Sequence, residues 1–277
     1  MRLGRTRATV RETNPNLRGR RLQLRPLVAS DFAQWHEVRT RNHEWLTQWE
    51  PSRPSGSPDV INDRHAFAAR CNARERERHL GTGFGFGLFA DGAFCGEMNL
   101  SSVQRGPFQN CYVGYWVDEK VAGSGYTPEA LVTVMRFAFE ELGLHRLQIA
   151  IIPRNTPSRR VVEKLNIREE GLAMKYLEIN GEWEDHIRYG FTAEEWDERR
   201  DELVDAWLYE SSVPTCCAAS PCWAASSASF DEIDACSFAT SCWNSGLPID
   251  CTWGRTSCST DSGDVSMPGR PFNALLV

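Results

Sequence analysis

Between residues 20 and 208 the chain alternates two periods, apolar residues at every second position that predict strands and three-to-four spacings that predict helices. Residues 22–27 read as a first strand, after which Ser30 and Asp31 open a helix that turns Phe32, Trp35 and Val38 inward. A further helix follows the Pro/Ser loop of residues 51–58. Two hairpins carry the dipeptides that a type I′ turn favours. Asp91-Gly92 joins Phe84–Ala90 to residues 93–100, and Asn180-Gly181 joins residues 173–179 to 183–191. Residues 111–117, dense in aromatic and β-branched side chains, predict a buried strand. The helix expected from Thr127 to about Leu142 sets Leu131, Val134, Met135, Ala138 and Leu142 on one stripe, and Gly143 ends it. A strand over 146–152 follows, then a helix bearing Ser158, Val161, Val162 and Leu165 with Asn155 at its N-cap. The order is strand, helices, three strands, helix, strand, helix, two strands, which predicts one layered α/β (α+β) domain over residues 20–208.

The candidate chemistry lies where the strand of residues 111–117 runs into Lys120-Val-Ala-Gly-Ser-Gly-Tyr-Thr127. Gly123 and Gly125 let the backbone be approached closely, and Thr127 is expected to cap a helix whose first residue is Pro128, where a missing N–H costs nothing. Amides pointing out of such a helix start, with the positive end of its dipole, form a receptor for phosphate. Asn155 marks a second helix start after the next strand. Two parallel strands that each feed a helix N-terminus splay apart where a ligand can enter. A dinucleotide fingerprint is the rival reading of the glycine turn, but it needs a carboxylate near the end of the following strand, and that strand ends in Ile151, Ile152 and Pro153. A glycine turn without a ligand is the plainer alternative.

Lys120-Val-Ala-Gly123-Ser-Gly125 resembles the Arg/Gln-x-x-Gly-x-Gly/Ala pyrophosphate loop of the GNAT superfamily of N-acetyltransferases, with Lys120 at the place of the usual Arg or Gln. Asn155-x-x-Ser158, followed by Glu163-Lys-Leu165, is similar to that superfamily's second coenzyme A motif. Arg168-Glu-Glu-Gly171, the run from Tyr176 to His186, and the opening Leu22-x-Leu24-Arg-Pro-Leu27 resemble its ribosomal-protein alanine N-acetyltransferase subgroup. The likeness covers roughly residues 20–195. It implies a GNAT fold: a mixed, mostly antiparallel central sheet with flanking helices and a splay between the fourth and fifth strands.

It also implies acetyl-CoA as co-substrate, with no metal, and a direct attack by a primary amine in a ternary complex. A thioester is already activated, so the protein must align the amine, keep it neutral and stabilise the oxyanion. The backbone near Val117 would polarise the thioester carbonyl. The pyrophosphate would lie on the turn of Lys120, Val121, Ala122, Gly123, Ser124, Gly125, Tyr126 and Thr127, and Asn155 would contact the pantetheine arm. Glu97, on the strand leading to the site, is the candidate base, against the reading of a solvent-facing Glu. Glu178 and His186 are weaker candidates. Many family members protonate the leaving thiolate with a Tyr where this chain has Val162, while the subgroup uses a Ser at the position of Ser158, which otherwise supports its helix start. Trp45, Trp49, Trp183 and the loop from Glu50 to Asp59 are expected to shape the amine pocket. The acceptor implied is the N-terminal α-amine of a ribosomal protein. A small-molecule amine such as a polyamine or antibiotic, or a silent acyl-CoA sensor, are the alternatives. Asn166 stands where the family places Gly, and an αL turn tolerates it.

Composition changes this picture only at the two ends. The chain has 277 residues, 41% of them hydrophobic, and a net charge of -6, but from Tyr209 onward it is rich in Ser, Cys, Ala and Trp and has no Lys. Acidic residues there (Glu210, Asp231, Glu232, Asp234, Asp250, Asp261 and Asp264 against Arg255 and Arg270) carry most of the negative excess, so the body is close to neutral. Seven of the ten cysteines lie in the same stretch without a C-x-x-C pair or a histidine partner. Residues 209–277 thus read as a disordered or non-native extension, with a zinc or redox module as the alternative. Cys95 and Cys111 sit in apolar strand runs as small hydrophobes. Arg2, Arg5, Arg7, Arg11, Arg18, Arg20 and Arg21 precede the first strand, and without aromatic interleaving residues 1–19 read as a solvated, poorly ordered basic leader, with an arm for RNA or a ribosomal surface as the alternative. No stretch of transmembrane length appears, so a cytoplasmic monomer or homodimer is expected.

Overall fold

A computed structural model of the chain describes residues 15–51, 56 and 58–209. The expectations for residues 1–14 and 210–277 lie outside the described residues. Eight strands form one sheet in the order β1-β2-β3-β4-β5-β6-β8-β7: β1 Leu17–Arg18, β2 Leu22–Arg25, β3 Phe84–Ala90, β4 Ala93–Gln104, β5 Asn110–Val117, β6 Arg146–Ile151, β7 Arg168–Ile179 and β8 Glu182–Thr192. Every pairing is antiparallel except β5 with β6. The helices are α1 Phe32–Arg41, α2 His43–Thr47, α3 Arg64–Leu80, α4 Tyr126–Arg136, α5 Thr156–Lys164 and α6 Ala193–Trp207.

The expected mixed sheet is present, with one strand more than the sequence indicated. β1 lies inside the stretch read as leader and pairs with β2 through Leu17↔Leu24, so the ordered body begins before residue 20. Both hairpin turns hold the left-handed pair that their dipeptides favour, with φ of 50° and 79° at Asp91-Gly92 and 49° and 87° at Asn180-Gly181.

α1 and α3 cover one face of the sheet, where Trp35 and Phe67 pack ring to ring at 4.8 Å. On the other face α4 is buried nearly all round, Glu129 and Thr133 included, because sheet, α5 and α6 surround it. It runs on through a π-helical turn, Phe137–Glu141, that sets Phe137 edge-on against Phe84 at 5.3 Å and Phe86 at 5.8 Å. Gly143, at φ 60°, ends it as expected.

One expectation at its start is corrected. The N-cap is Gly125, at φ 82°, and the helix begins at Tyr126 rather than after Thr127. Pro128 is therefore its third residue, still among the first four whose N–H groups have no helical partner, so its missing N–H remains free of cost. Cys71, Cys95 and Cys111 are buried and unbridged, and burial pushes their thiols up to about 11, 12 and 12. They behave as small core hydrophobes.

Candidate active site

β5 and β6 pair only through Asn110↔Arg146, Cys111↔Leu147 and Tyr112↔Gln148. Beyond Tyr112 the two strands part, so the backbone of β5 up to Val117 turns an unpaired edge toward β6. At that end β4 closes tightly on β5. A Cβ on Gly96 would collide with the carbonyl of Trp116, so only glycine allows this approach beside Val117.

The glycine turn leaves β5 under firm control. Asp118 is buried and accepts hydrogen bonds from Asn42 Nδ2 at 2.8 Å and Arg41 Nε at 3.2 Å, with Arg41 Nη2 closing the ion pair. Asn42 in turn accepts the N–H of Glu119 at 3.0 Å, so the end of α1 is clamped to the start of the turn. Burial pushes the Asp118 carboxyl up, but hydrogen bonds from Arg41 and Asn42 and the charge of Arg41 outweigh it and hold it below its ordinary value. From the other side Arg21 donates to the Ser124 carbonyl at 3.0 Å and to Glu129 Oε2 at 2.9 Å. Glu129 Oε1 receives the Arg21 and Leu22 amides.

Within the turn Val121, Ala122 and Ser124 spend their N–H groups on the carbonyls of Asp118, Glu119 and Val121. Among the described residues the amides of Gly123, Gly125, Tyr126 and Thr127 have no such partner. The turn thus has fewer unpaired amides than residues. Gly123, at φ 86°, faces open space, where nothing lies within 4 Å of an added Cβ.

Across the gap, Asn155 caps α5 by accepting the Ser158 N–H at 3.2 Å. It is fully buried, yet its Nδ2 has no partner among the described residues. Ser158 is equally buried, and its hydroxyl meets Tyr115 Oη at 3.1 Å. Burial pushes the Tyr115 phenol well up, so the ring stays protonated at neutral pH. Tyr115 escaped the sequence reading; the only signal was a Tyr inside an apolar strand, whose hydroxyl must find a partner when buried.

Glu97 is 3% exposed, and both its oxygens are occupied. Trp35 Nε1 donates to one at 2.7 Å and Arg70 to the other at 2.5 Å. Burial pushes the carboxyl up, but the charge of Arg70, these hydrogen bonds and Arg39 together hold it below its ordinary value. Glu178 is exposed on the edge strand β7. His186 is fully buried on β8, one residue before the Ile151↔Ile187 pair at the open end of β6. Its Nδ1 lies 3.0 Å from the Glu184 carbonyl, which can only accept, so Nδ1 carries the proton. Nε2 then presents a lone pair without a partner among the described residues. Burial pushes its pKa below the ordinary 6.5, which keeps the ring neutral at pH 7.

Of the three tryptophans expected around the amine, Trp49 packs against Ile152 and Ile179 at the gap's rim and Trp45 is buried, whereas Trp183 is 62% exposed.

A splayed parallel pair with two helix starts at its open end matches one family by sequence as well: residues 21–168 fit the model of the acetyltransferase (GNAT) domain. The chain belongs to the GNAT acetyltransferase family. The "Probable N-acetyltransferase YjcK" of Bacillus subtilis is 32% identical over 172 residues, which span 61% of this acetyltransferase and 93% of that relative. The [Ribosomal protein uS5]-alanine N-acetyltransferase of Escherichia coli is 31% identical over 182 residues, 64% of this chain and 90% of its own. Among solved structures, Mycobacterium smegmatis RimJ in complex with CoA-disulfide is 31% identical with a TM-score of 0.63, over 69% of this chain and 92% of that one. The acetyltransferase therefore takes acetyl-CoA as co-substrate and an amine as acceptor. Among its described residues no helix is long and apolar enough to cross a membrane, and no group of three His, Cys, Asp or Glu is placed to hold a metal ion.

Proposed function

We propose that this acetyltransferase acts in the cytoplasm on the N-terminal α-amine of a ribosomal protein, with alanine as the first residue. The observation that carries the reading is the likeness to the Escherichia coli uS5-alanine enzyme, which spans 90% of that relative and so includes the acceptor side as well as the cofactor loop. In this reading the pyrophosphate sits on the amides of Gly123, Gly125, Tyr126 and Thr127, with Lys120 beside it and the turn of Val121, Ala122 and Ser124 as scaffold. The edge of β5 at Val117 polarises the thioester carbonyl, and the free Nδ2 of Asn155 donates to the pantetheine arm.

The amine nitrogen attacks the thioester carbon, the C–S bond breaks, and the nitrogen loses a proton while the thiolate gains one. Ser158, backed by the protonated Tyr115, supplies the thiolate's proton. For the amine's proton, Glu97 is poorly suited, because a carboxylate shared by Trp35 and Arg70 has little affinity left for one. We assign Glu97 a positioning role and the proton to His186 Nε2.

The test is thermal unfolding of the full chain with and without acetyl-CoA, together with thiol release on alanine-initiated and other N-terminal peptides and on polyamines. A ligand bound only by the native state raises its stability. Thiol release with the alanine peptide above all others is the expected result; release with polyamines alone would overturn the ribosomal reading.

A further inference from the structure

The segment Trp49-Glu50 bridges the gap between β5 and β6. On the β6 side Trp49 packs against Ile152 and Ile179, and the Glu50 carbonyl accepts the Asn180 amide at 2.9 Å. On the β5 side the Glu50 carboxylate pairs with Arg39, whose guanidinium carbon lies 5.2 Å from the centre of the Trp116 ring, one residue before Val117.

That ion pair is incomplete. Its side chains are only 8% and 16% exposed, yet contact runs from Arg39 Nη2 to Glu50 Oε2 alone. Arg39 Nη1 and Glu50 Oε1 are buried and have no hydrogen-bond partner among the described residues. A buried polar atom left unpaired is costly, and an arginine–carboxylate pair ordinarily closes as a two-pronged fork. Each side chain of the pair thus keeps one buried polar atom without a hydrogen bond, a donor on Arg39 and an acceptor on Glu50.

An N-terminal residue carries the complementary set, an α-amine that donates and a carbonyl oxygen that accepts, on either side of one Cα. An alkylamine or polyamine brings the donor alone. We infer that the Arg39–Glu50 pair reads the backbone of the acceptor's first residue, Glu50 Oε1 receiving the α-amine and Arg39 Nη1 donating to the first carbonyl. The inference rests on the protein N-terminus as acceptor and adds the groups that select it. The pair binds and orients the acceptor and takes no part in proton transfer.

The experiment compares an alanine-initiated peptide with the same peptide whose first peptide bond is replaced by a trans-alkene, which keeps the amine and removes the carbonyl. Wild-type protein should lose at least about tenfold in kcat/KM on the alkene. Glu50→Gln should lose at least about tenfold on the normal peptide with the KM for acetyl-CoA unchanged, and Arg39→Met/Glu50→Gln should no longer distinguish the two peptides. Equal wild-type rates on both peptides, or a Glu50→Gln protein as active as wild type, would overturn the inference and leave the N-terminal acceptor standing. If Glu50→Gln does not fold, the wild-type comparison alone decides. A wild type that acetylates polyamines and neither peptide overturns the acceptor reading instead, a result that is distinguishable from the first.

Discussion

The turn of residues 118–127 and the Trp49-Glu50 segment face the same gap between β5 and β6, but one presents backbone and the other side chains. The turn offers amides of Gly123, Gly125, Tyr126 and Thr127, held by Asp118 beneath one end and by Arg21 and Glu129 beneath the other. Its working surface is nearly independent of side chains, which suits a ligand whose phosphates never change. In the proposed reading the opposite wall takes Arg39, Trp49, Glu50 and His186, drawn from α1, the segment after α2 and β8, and among the described residues one polar side-chain atom of each is buried without a partner. A wall of that kind can be re-specified by substitution while the cofactor side stays as it is.

The difference between the two walls shows most at the clamp under the turn. Asp118→Ala removes the acceptor of Arg41 and Asn42, and because Arg41 is 28% exposed and can turn to water, the expected loss is about 3 kcal/mol rather than the upper end for a buried pair. Urea unfolding measures it, and acetyl-CoA binding should weaken in parallel. A variant as stable as wild type would show that the turn holds itself. Next comes Gly123→Val. At φ 86° with open space around it, the penalty is backbone strain alone, about 2 kcal/mol, read as lost stability in urea unfolding where the turn keeps its conformation and as up to roughly 30-fold in acetyl-CoA affinity where the turn relaxes and must be rebuilt on binding. Unchanged stability and affinity together would mean that the turn does not need its left-handed residue.

These two positions also show what a sequence can and cannot disclose. Gly123, the cap at Asn155 and the hairpins at Asp91 and Asn180 were legible because their physics is local: φ > 0 or an N-cap is demanded by the residue's own neighbours. The expected start of α4 lies two residues late, because Thr127-Pro128 is an equally good local signal and only the φ of 82° at Gly125 decides. The clamp of Asn42 on Asp118, the Tyr115–Ser158 contact and the Arg70–Glu97 pair join residues 76, 43 and 27 positions apart, and nothing local announces them. Glu97 illustrates the cost: alternation put it on the strand beside the site, but only the packing of α1 and α3 reveals that its carboxylate is already spent.

Ser158→Ala tests the chemistry shared between the two walls. About a tenfold fall in kcat is expected, with the KM for acetyl-CoA unchanged, if the hydroxyl serves the departing thiolate. A raised KM with kcat intact would make Ser158 a binding residue only.

The pH profile reports on the acceptor side. Burial lowers the pKa of His186, so its neutral form, with Nε2 free, accumulates as pH rises through a value below 6.5. The logarithm of kcat/KM should therefore rise through an acid limb in that range, and the limb should vanish in His186→Gln and survive in Glu97→Gln. The stability sign runs the same way. The unfolded chain binds the proton more readily, so stability is lost as pH falls from about 6.5 through the lowered value, by less than the other effects argued above. An acid limb that disappears with Glu97→Gln instead would return the proton to that carboxylate.

The smallest effect belongs to Asn166, behind both walls at the end of α5. It sits at φ 47°, with its N–H on the Glu163 carbonyl at 2.9 Å and the Ile167 N–H on Val162 at 2.9 Å, the double bond pattern of a left-handed helix stop. Among L-residues Asn tolerates this conformation best, so Asn166→Gly should gain at most about 1 kcal/mol in chemical unfolding, the relief of residual strain offset by the freer unfolded chain. Since the stop holds Leu165 in the core and does not touch the cap at Asn155, acetyl-CoA affinity should not move. A gain well beyond that figure would mean that the αL turn is strained by its side chain, and that strain at the far end of α5 bears on how firmly Asn155 and Ser158 are presented to the gap.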